Sequence, residues 1–344
     1  MAKSAINNHL IDPPFRPHLP GLVFRGFLGE ADYASILAVI NASKQADGIE
    51  RSDTLEAVAR TYAHLHHSDP AQDMIFAEVN AAAVGYGRVW WDLNESGEWI
   101  GMQLAFLHPD WRRKGIGTAI LRHNEARLRQ VAGRLESQGL IQASTPRFTD
   151  VLAAEGETGK IALMGREGYQ PVRYEFHMVH PLSEAAVVTP LPEGLEVRPV
   201  LDGQVRTVWD ASQEAFRDHW NSIPEPEEEF QRLREGPDFN PGLWMVAWED
   251  DQVAGSVLNY IDSEENAEYR RRRGYTEGIS VRRPWRRRGL ARALLTRSLR
   301  MFQEMGMQEA ALGVDSQNLN GANLLYESVG FRLAQRHAIY RKAL

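Results

Sequence analysis

The sequence predicts a mixed α/β layer built twice, in two domains joined by a proline-containing linker. Three observations carry this. A basic, glycine-containing turn between an apolar strand and an amphipathic helix occurs twice, in Phe106–Leu121 (FLHPDWRRKGIGTAIL) and in Gly274–Leu295 (GYTEGISVRRPWRRRGLARALL). The order of strands and helices around that turn repeats on the scale of a domain rather than of a solenoid unit. Between the copies, Pro181–Gly194 (PLSEAAVVTPLPEG) has three prolines and no amphipathic period, and reads as the linker between residues 1–180 and 195–344.

In the first half, Val23–Phe27 reads as a strand, and Glu30–Ala46 and Thr54–His67 as helices. Met74–Val79 and Ala83–Trp91 are strands joined by a turn at Asn80, and Trp99–Leu107 is the strand that enters the first basic turn. Gly115–Leu135 is a long helix with a mixed charged face. Leu140–Ala143 reads as a strand, Gly159–Arg166 as a short helix and Tyr169–Val179 as the returning strand. In the second half, Leu195–Val200 is a strand, and Gln204–Arg217 and Glu227–Arg234 are helices. Trp244–Trp248 and Val253–Ile261 are strands, Asp262–Arg273 is an insertion, and the second turn follows. Ala310–Val314, Ala322–Val329 and Phe331–Arg341 close the order as strand, helix and strand.

Composition bounds the rest. With 43% hydrophobic and 25% charged residues over 344 positions, the chain can bury two ordinary cores. No apolar run reaches a membrane span, and the N-terminus lacks the apolar core of a signal peptide, so a cytoplasmic location and no membrane partner are expected. A net charge of −7 argues against nucleic acid as a partner, and the basic run Arg270–Arg273 reads as a solvated loop. There is no cysteine, which removes disulfides, thiolate metal sites and a thiol nucleophile. His64, His66 and His67 lack a carboxylate at helical spacing, so no metal is expected.

Each basic turn has the makings of a pyrophosphate cradle. A helix N-terminus leaves N–H groups unpaired and carries partial positive charge. Glycine there lets an anion reach the backbone, and arginines add charge. Arg112, Gly115 and Gly117 of the first copy correspond to Arg286, Gly289 and Ala291 of the second.

This R/Q-x-x-G-x-G/A pattern after a strand resembles the coenzyme A signature of the GNAT acetyltransferases. Two copies in one chain resemble the tandem GNAT proteins, of which mycothiol synthase is the pattern. The resemblance implies two GNAT domains, each a mixed, mostly antiparallel sheet flanked by helices, with acetyl-CoA as donor. It implies cradle residues Arg286, Arg287, Arg288, Gly289, Leu290 and Ala291 in the second domain, and Arg112, Arg113, Lys114, Gly115, Ile116 and Gly117 in the first. It also implies that the strand before each cradle splays from its neighbour, so that Ile279, Ser280 and Val281, and Ala105 to Leu107, pair with pantetheine. Pro109 keeps the family's proline, whereas the second copy has Arg283 there and Pro284 one place later.

A second match is Val314–Phe331 (VDSQNLNGANLLYESVGF), in which Asn318, Ala322, Leu325-Tyr326 and Gly330-Phe331 follow the family's order. Asn318 and Asn323 are expected at the cofactor. The resemblance makes Tyr326 the general acid that protonates the thiolate expelled when an amine attacks the thioester; a phenol is protonated at neutral pH. Alternation places Tyr275, Glu277, Ile279 and Val281 on one strand face, and makes Glu277 the candidate base. Tyr275 stands where some members carry the acid, and His219 is a further candidate. Asp218, Glu225, Glu227, Glu228 and Glu229 either attract a cationic amine or suit a helix N-terminus.

The expected activity is acetyl transfer to a primary amine of a small molecule in a ternary complex. A cysteine–glucosamine conjugate, aminoglycosides, polyamines, amino acids and a protein amine remain open as acceptors. The rival is a non-catalytic acyl-CoA-binding regulator. Counting back from the cradle glycines, Gln103 stands in the first domain where Glu277 stands in the second; counting back from Gly168 and Gly330, Met164 stands where Tyr326 does. An amide and a thioether cannot do this proton transfer, so the first domain is expected to hold acetyl-CoA without turnover, or to brace the second.

Overall fold

A computed structural model describes residues 9–183, 187–317 and 321–344. The chain forms two compact units: one runs to Val172 and takes back Ala338–Leu344, and the other is Arg173–His337. The expected linker therefore lies inside the second unit rather than between units. Backbone pairing is the reason: the strand that ends the first half pairs over Glu175–Pro181 with a strand of the second half, as described below.

In unit 1, β1 (Leu22–Arg25), β2 (Met74–Val79), β3 (Ala82–Leu93) and β4 (Trp99–Leu107) form an antiparallel ladder. β5 (Arg147–Ala154) adds parallel to β4. This strand replaces the one expected at Leu140–Ala143, where the chain turns instead. Helix α4 (Ile116–Ser137) places Ile116, Ala119 and Ile120 against Leu22, Ile75 and Val84, and Leu128, Val131 and Leu135 against Val89 and Trp99. Helix α1 (Tyr33–Asp47) buries Ile36, Val39 and Ile40 against Met74, Phe76 and Tyr86. Two further helices precede β2, α2 (Leu55–Ala63) and α3 (Pro70–Asp73), and α5 (Thr158–Arg166) follows β5. Each fully buried aliphatic or aromatic side chain of this kind stabilises by about 1.5–3 kcal/mol.

Unit 2 repeats the plan. β7 (Glu196–Val197), β8 (Met245–Glu249), β9 (Gln252–Tyr260) and β10 (Arg273–Val281) are antiparallel, and β11 (Glu309–Asp315) runs parallel to β10. The other side of β11 is paired antiparallel by β6 (Gln170–Pro181), from Asp315↔Glu175 to Glu309↔Pro181. Helix α6 (Val205–Phe216) packs Val205, Val208 and Ala211 on Trp244, Val246 and Trp248, followed by α7 (Glu227–Arg234). α9 (Leu290–Glu304) packs Leu295, Leu299 and Phe302 against Ala310, Leu312 and Met178. α10 (Ala322–Ser328) leads to β12 (Arg332–Ala343), whose last residues belong to unit 1, where Arg341 forks onto Asp150 at 2.7 Å. The insertion before β10 is not all loop: Ser263–Glu268 forms α8, capped by Asp262. The basic run is not all solvated either, since Arg273 is buried and donates to Glu309 at 2.7 Å. No helix among the described residues is long and apolar enough to cross a membrane.

Candidate active site

The two basic turns fold alike. A 3-10 turn (Pro109–Trp111; Arg283–Trp285) leads to an extended arginine, Arg112 or Arg286. The next arginine enters the left-handed region, Arg113 at φ 63° and Arg287 at φ 61°. The glycine before the helix does the same, Gly115 at φ 85° and Gly289 at φ 84°, a conformation that costs other residues about 1–2 kcal/mol. The N–H groups of Ile116 and Gly117, and of Leu290 and Ala291, are then first-turn donors without a carbonyl inside the helix. Ile116 and Leu290 bury their side chains in the cores, so it is their backbone that faces a ligand role.

The arginine side chains divide differently from expectation. Arg286 donates to Asp218 at 2.6 Å, to the Ala215 carbonyl at 3.0 Å and to the Val281 carbonyl at 2.9 Å. Arg112 likewise forks onto Asp47 at 2.7 and 2.8 Å and donates to the Leu107 carbonyl at 3.3 Å. Both are struts that tie the turn to the preceding helix and strand. Arg288 donates to the Glu193 carbonyl, and Lys114 to the Asp110 carbonyl, each at 2.8 Å. Asp218, a candidate for attracting an amine, is held well below the ordinary carboxylate range by Arg283 and Arg286. Glu227, Glu228 and Glu229 form the first turn of α7, the helix-terminus alternative, with Glu227 paired to Arg206 and Glu229 to Arg232.

Ahead of each cradle the parallel ladder stops. β4 pairs with β5 only from Trp99 to Met102, and β10 with β11 only from Arg273 to Tyr275. Beyond these points one edge of each strand is open, over Gln103–Leu107 and Thr276–Val281. In unit 1 this edge, the cradle and α5 line a cavity of about 500 Å³ that includes Leu107, Arg113, Gly117, Lys160 and Met164.

The strands differ at one point. β4 pairs with β3 without a slip. β10 has a bulge: Glu277 pairs with Leu258 and Ser280 with Ser256, so three steps on β10 match two on β9. Gly278, at φ 56°, supplies the turn. The extra residue changes parity, so Glu277 shares its face with Tyr275 and Ser280 but not with Val281, contrary to simple alternation. Ser280 points its hydroxyl at Ser256, 3.0 Å away, and its backbone carbonyl lies on the β9 side, close to Gly255. Ile279 is half-buried between two core clusters.

The bulge aims Glu277 across β11. Its Oε1 accepts the Gly313 N–H at 2.8 Å, and its carboxylate occupies the space beside Gly313 that a side chain there would border. Burial pushes the Glu277 carboxyl up to about 7, opposed by the Gly313 N–H and assisted by the nearby Glu175 carboxylate. Glu175 is itself raised, by burial and by Asp315. Tyr326 is buried on α10, edge-on to Phe331 at 6.2 Å, and its hydroxyl is raised by burial and by the Glu277 charge. The structure thus brings Glu277 and Tyr326 within electrostatic reach. Tyr275 is committed elsewhere: it stacks on Tyr260 at 4.8 Å and its hydroxyl donates to Glu265. His219 packs edge-on against Phe216, with burial lowering its pKa and Asp315 opposing. Asn323 donates to the Ser316 carbonyl at 2.8 Å, and Asn318 lies outside the described residues.

Sequence reasoning missed the contribution of β6. Glu175 and His177 lie opposite Asp315 and Gly313, and Arg173 forks onto Asp315 under the Trp220 ring. The signal was available: Arg173, Glu175 and His177 occupy one face of the strand by alternation, a polar face that needs partners.

In unit 1 the same positions form a closed network. Gln103 donates to the Tyr169 hydroxyl at 2.7 Å and to Thr149 at 3.0 Å, and Tyr169 donates to Glu125 at 3.0 Å. Lys342 completes it at 2.8 Å from Glu125. Met164 is buried against Tyr169.

Residues 205–331 match the acetyltransferase (GNAT) family, and residues 70–155 match a GNAT acetyltransferase domain. The mycothiol acetyltransferase of Geodermatophilus obscurus is 30% identical over 91% of this chain and 94% of its own length. That of Salinispora arenicola is 26% identical over 92% and 95%. Among solved structures, a GCN5-related N-acetyltransferase from Sphaerobacter thermophilus superposes with a TM-score of 0.68 at 25% identity, over 94% of this chain and 95% of that one. A tandem GNAT protein from the clavulanic acid biosynthesis pathway shares the fold, with a TM-score of 0.62 at 14% identity over 94% and 98%.

Proposed function

Because the chain belongs to the GNAT acetyltransferase family, we propose that it is an acetyl-CoA-dependent N-acetyltransferase whose second unit transfers acetyl directly to a primary amine of a small molecule. The thioester supplies an activated acyl group. The observation that carries the reading is the placement of Glu277, turned by the bulge onto the Gly313 N–H at 2.8 Å, with the buried Tyr326 close enough to feel its charge; burial raises both groups. Near neutral pH, Glu277 can accept the proton that the attacking amine must lose, directly or through water, while Tyr326 stays protonated and can donate to the leaving sulfur. Without cysteine there is no thiol to carry the acetyl group, which favours direct attack in a ternary complex.

The second-unit cradle is suited to hold the pyrophosphate through the N–H groups of Leu290 and Ala291, with Arg287 and Arg288 adding charge. The open edge from Thr276 to Val281 can pair with the pantetheine amides as an added strand would. Unit 1 has a cavity and a cradle but an amide and a thioether at the working positions, which supports acetyl-CoA binding there without turnover. The relatives named for mycothiol favour a mycothiol precursor as acceptor. The carboxylates Glu175 and Glu277 suit an acceptor that arrives as a cation.

The test is acetyl-CoA with a panel of amines that includes the amine precursor of mycothiol. CoA release is read by thiol titration, clean because the protein has no cysteine. For thiol-bearing acceptors the product mass is read instead. Acetylated product from at least one amine supports the reading. Tight acetyl-CoA binding with no product across the panel would favour the regulatory alternative.

A further inference from the structure

The turn after α2 and the end of β3 bring together three side chains that no part of the acetyltransferase reading uses. His66, His67 and Asp92 each offer one ligand atom within 4.8 Å of the others, the one such group of three among the described residues. The histidines are adjacent in sequence, and the carboxylate comes from a strand that the turn folds back upon. That is why helical spacing gave no hint of it.

The spacing of each histidine from the carboxylate suits a tetrahedral zinc-class ion. Ligand bonds of about 2.0–2.1 Å place neighbouring donors about 3.3 Å apart. His67 Nδ1 lies 3.2 Å from Asp92 Oδ1, and His66 Nε2 lies 3.6 Å from the same oxygen. The Trp91 carbonyl oxygen is 3.0 Å from His67 Nδ1, a backbone oxygen beside the group. Two imidazoles with a carboxylate form an N/O set of the borderline hardness that zinc accepts.

The site is held by the fold. The His67 ring stacks on Trp91 at 3.8 Å between centroids and 4° between planes. Its backbone is in the left-handed region at φ 46°, which aims the side chain at β3. Ser68 donates to the Val89 carbonyl at 2.8 Å and pins the turn to the same strand. The three side chains are 17–35% exposed, enough for an ion to enter from solvent.

We propose that His66, His67 and Asp92 bind a divalent zinc-class ion that clips the turn after α2 onto β3. On binding, neutral His67 coordinates through Nδ1 and carries its proton on Nε2. The Nδ1 contact with the Trp91 carbonyl is replaced by coordination to the ion. The ion is remote in sequence from the residues proposed for acetyl transfer, and its role is to stabilise unit 1.

Chelator-treated full-length protein titrated with zinc chloride by calorimetry tests this without any acetylation assay. One saturable site is expected, accompanied by a rise in melting temperature. Asp92→Asn and His66→Gln should each weaken binding at least tenfold and abolish the rise. Cobalt(II) should give the visible absorption bands of a four-coordinate site in the parent protein and not in either variant. No saturable site in the parent, or variants that bind zinc as the parent does, would overturn the proposal. Should Asp92→Asn fail to fold, His66→Gln, in the solvent-accessible turn, decides the matter by the same readings.

Discussion

The Glu277 carboxylate and the Gly313 backbone N–H, on parallel neighbouring strands, are joined by a 2.8 Å hydrogen bond made where the ladder between those strands has already ended. A Cβ at position 313 would touch the carboxylate at 3.6 Å, an ordinary contact, so the hydrogen bond rests on the backbone and not on the absence of a side chain. Around the pair stand Glu175 from β6, Tyr260 from β9 and Tyr326 from α10, all coupled to the Glu277 charge.

The pH dependence follows from these groups. The base must be ionised, so kcat/KM for a given amine should rise with pH through about 7, beyond any contribution from the amine itself. With Tyr326 raised above its ordinary 10, no falling limb from that group is expected below pH 10. Glu175→Gln removes a neighbouring negative charge and should move the rising limb to lower pH. A limb that stays in place would show that Glu175 does not act on the base.

Glu277 should also cost the fold stability at high pH. Its folded-state pKa is above the ordinary 4.5, so between that value and about 7 the folded state holds more proton than the unfolded chain, and stability falls as pH rises. Glu277→Gln keeps the acceptor for the Gly313 N–H and removes the penalty. The variant should melt higher than the parent at pH 8, with the difference vanishing near pH 4. Equal melting at both values would mean that the carboxyl is not raised.

Tyr326→Phe removes one proton donor and little volume. Turnover should fall by about 10²–10⁴-fold with acetyl-CoA binding nearly unchanged, as read by steady-state kinetics and calorimetry. Wild-type turnover would make Tyr326 a packing residue against Phe331.

The cradle glycines separate backbone from ligand effects. A methyl at Gly289 meets nothing within 4 Å, so Gly289→Ala should cost only the left-handed conformation, about 1–2 kcal/mol by denaturant titration. At Gly115 the methyl would also come within 2.9 Å of Pro17, so Gly115→Ala should cost more. Gly289→Glu adds an anion at the proposed phosphate position and should weaken acetyl-CoA binding well over tenfold.

Much of this was legible because it rests on local signals. The duplicated turn, its glycines and the helices that follow are set by backbone conformation and apolar period, both readable in one segment. β5 was missed because Leu140–Ala143, short and apolar, competed with Arg147–Ala154, whose alternation is interrupted by Asp150. The Glu277 face was misassigned beyond Gly278 because one extra residue inverts parity, and a glycine inside a strand was the only hint. The place of β6 was not legible, because which edge a strand joins is decided by long-range pairing; only the polar face of Arg173, Glu175 and His177 could be read, not what it would meet.

The division of work between the units is the central claim, and acetyl-transfer turnover in two folded variants measured side by side tests it most directly. Gly117→Asp places a carboxylate in the first cradle at a position that suits the helix N-terminus, and should leave most of the turnover. Glu277→Gln combined with Tyr326→Phe should leave almost none while acetyl-CoA still binds. A Gly117→Asp variant that is folded but inactive, beside a double variant that still turns over, would contradict the account.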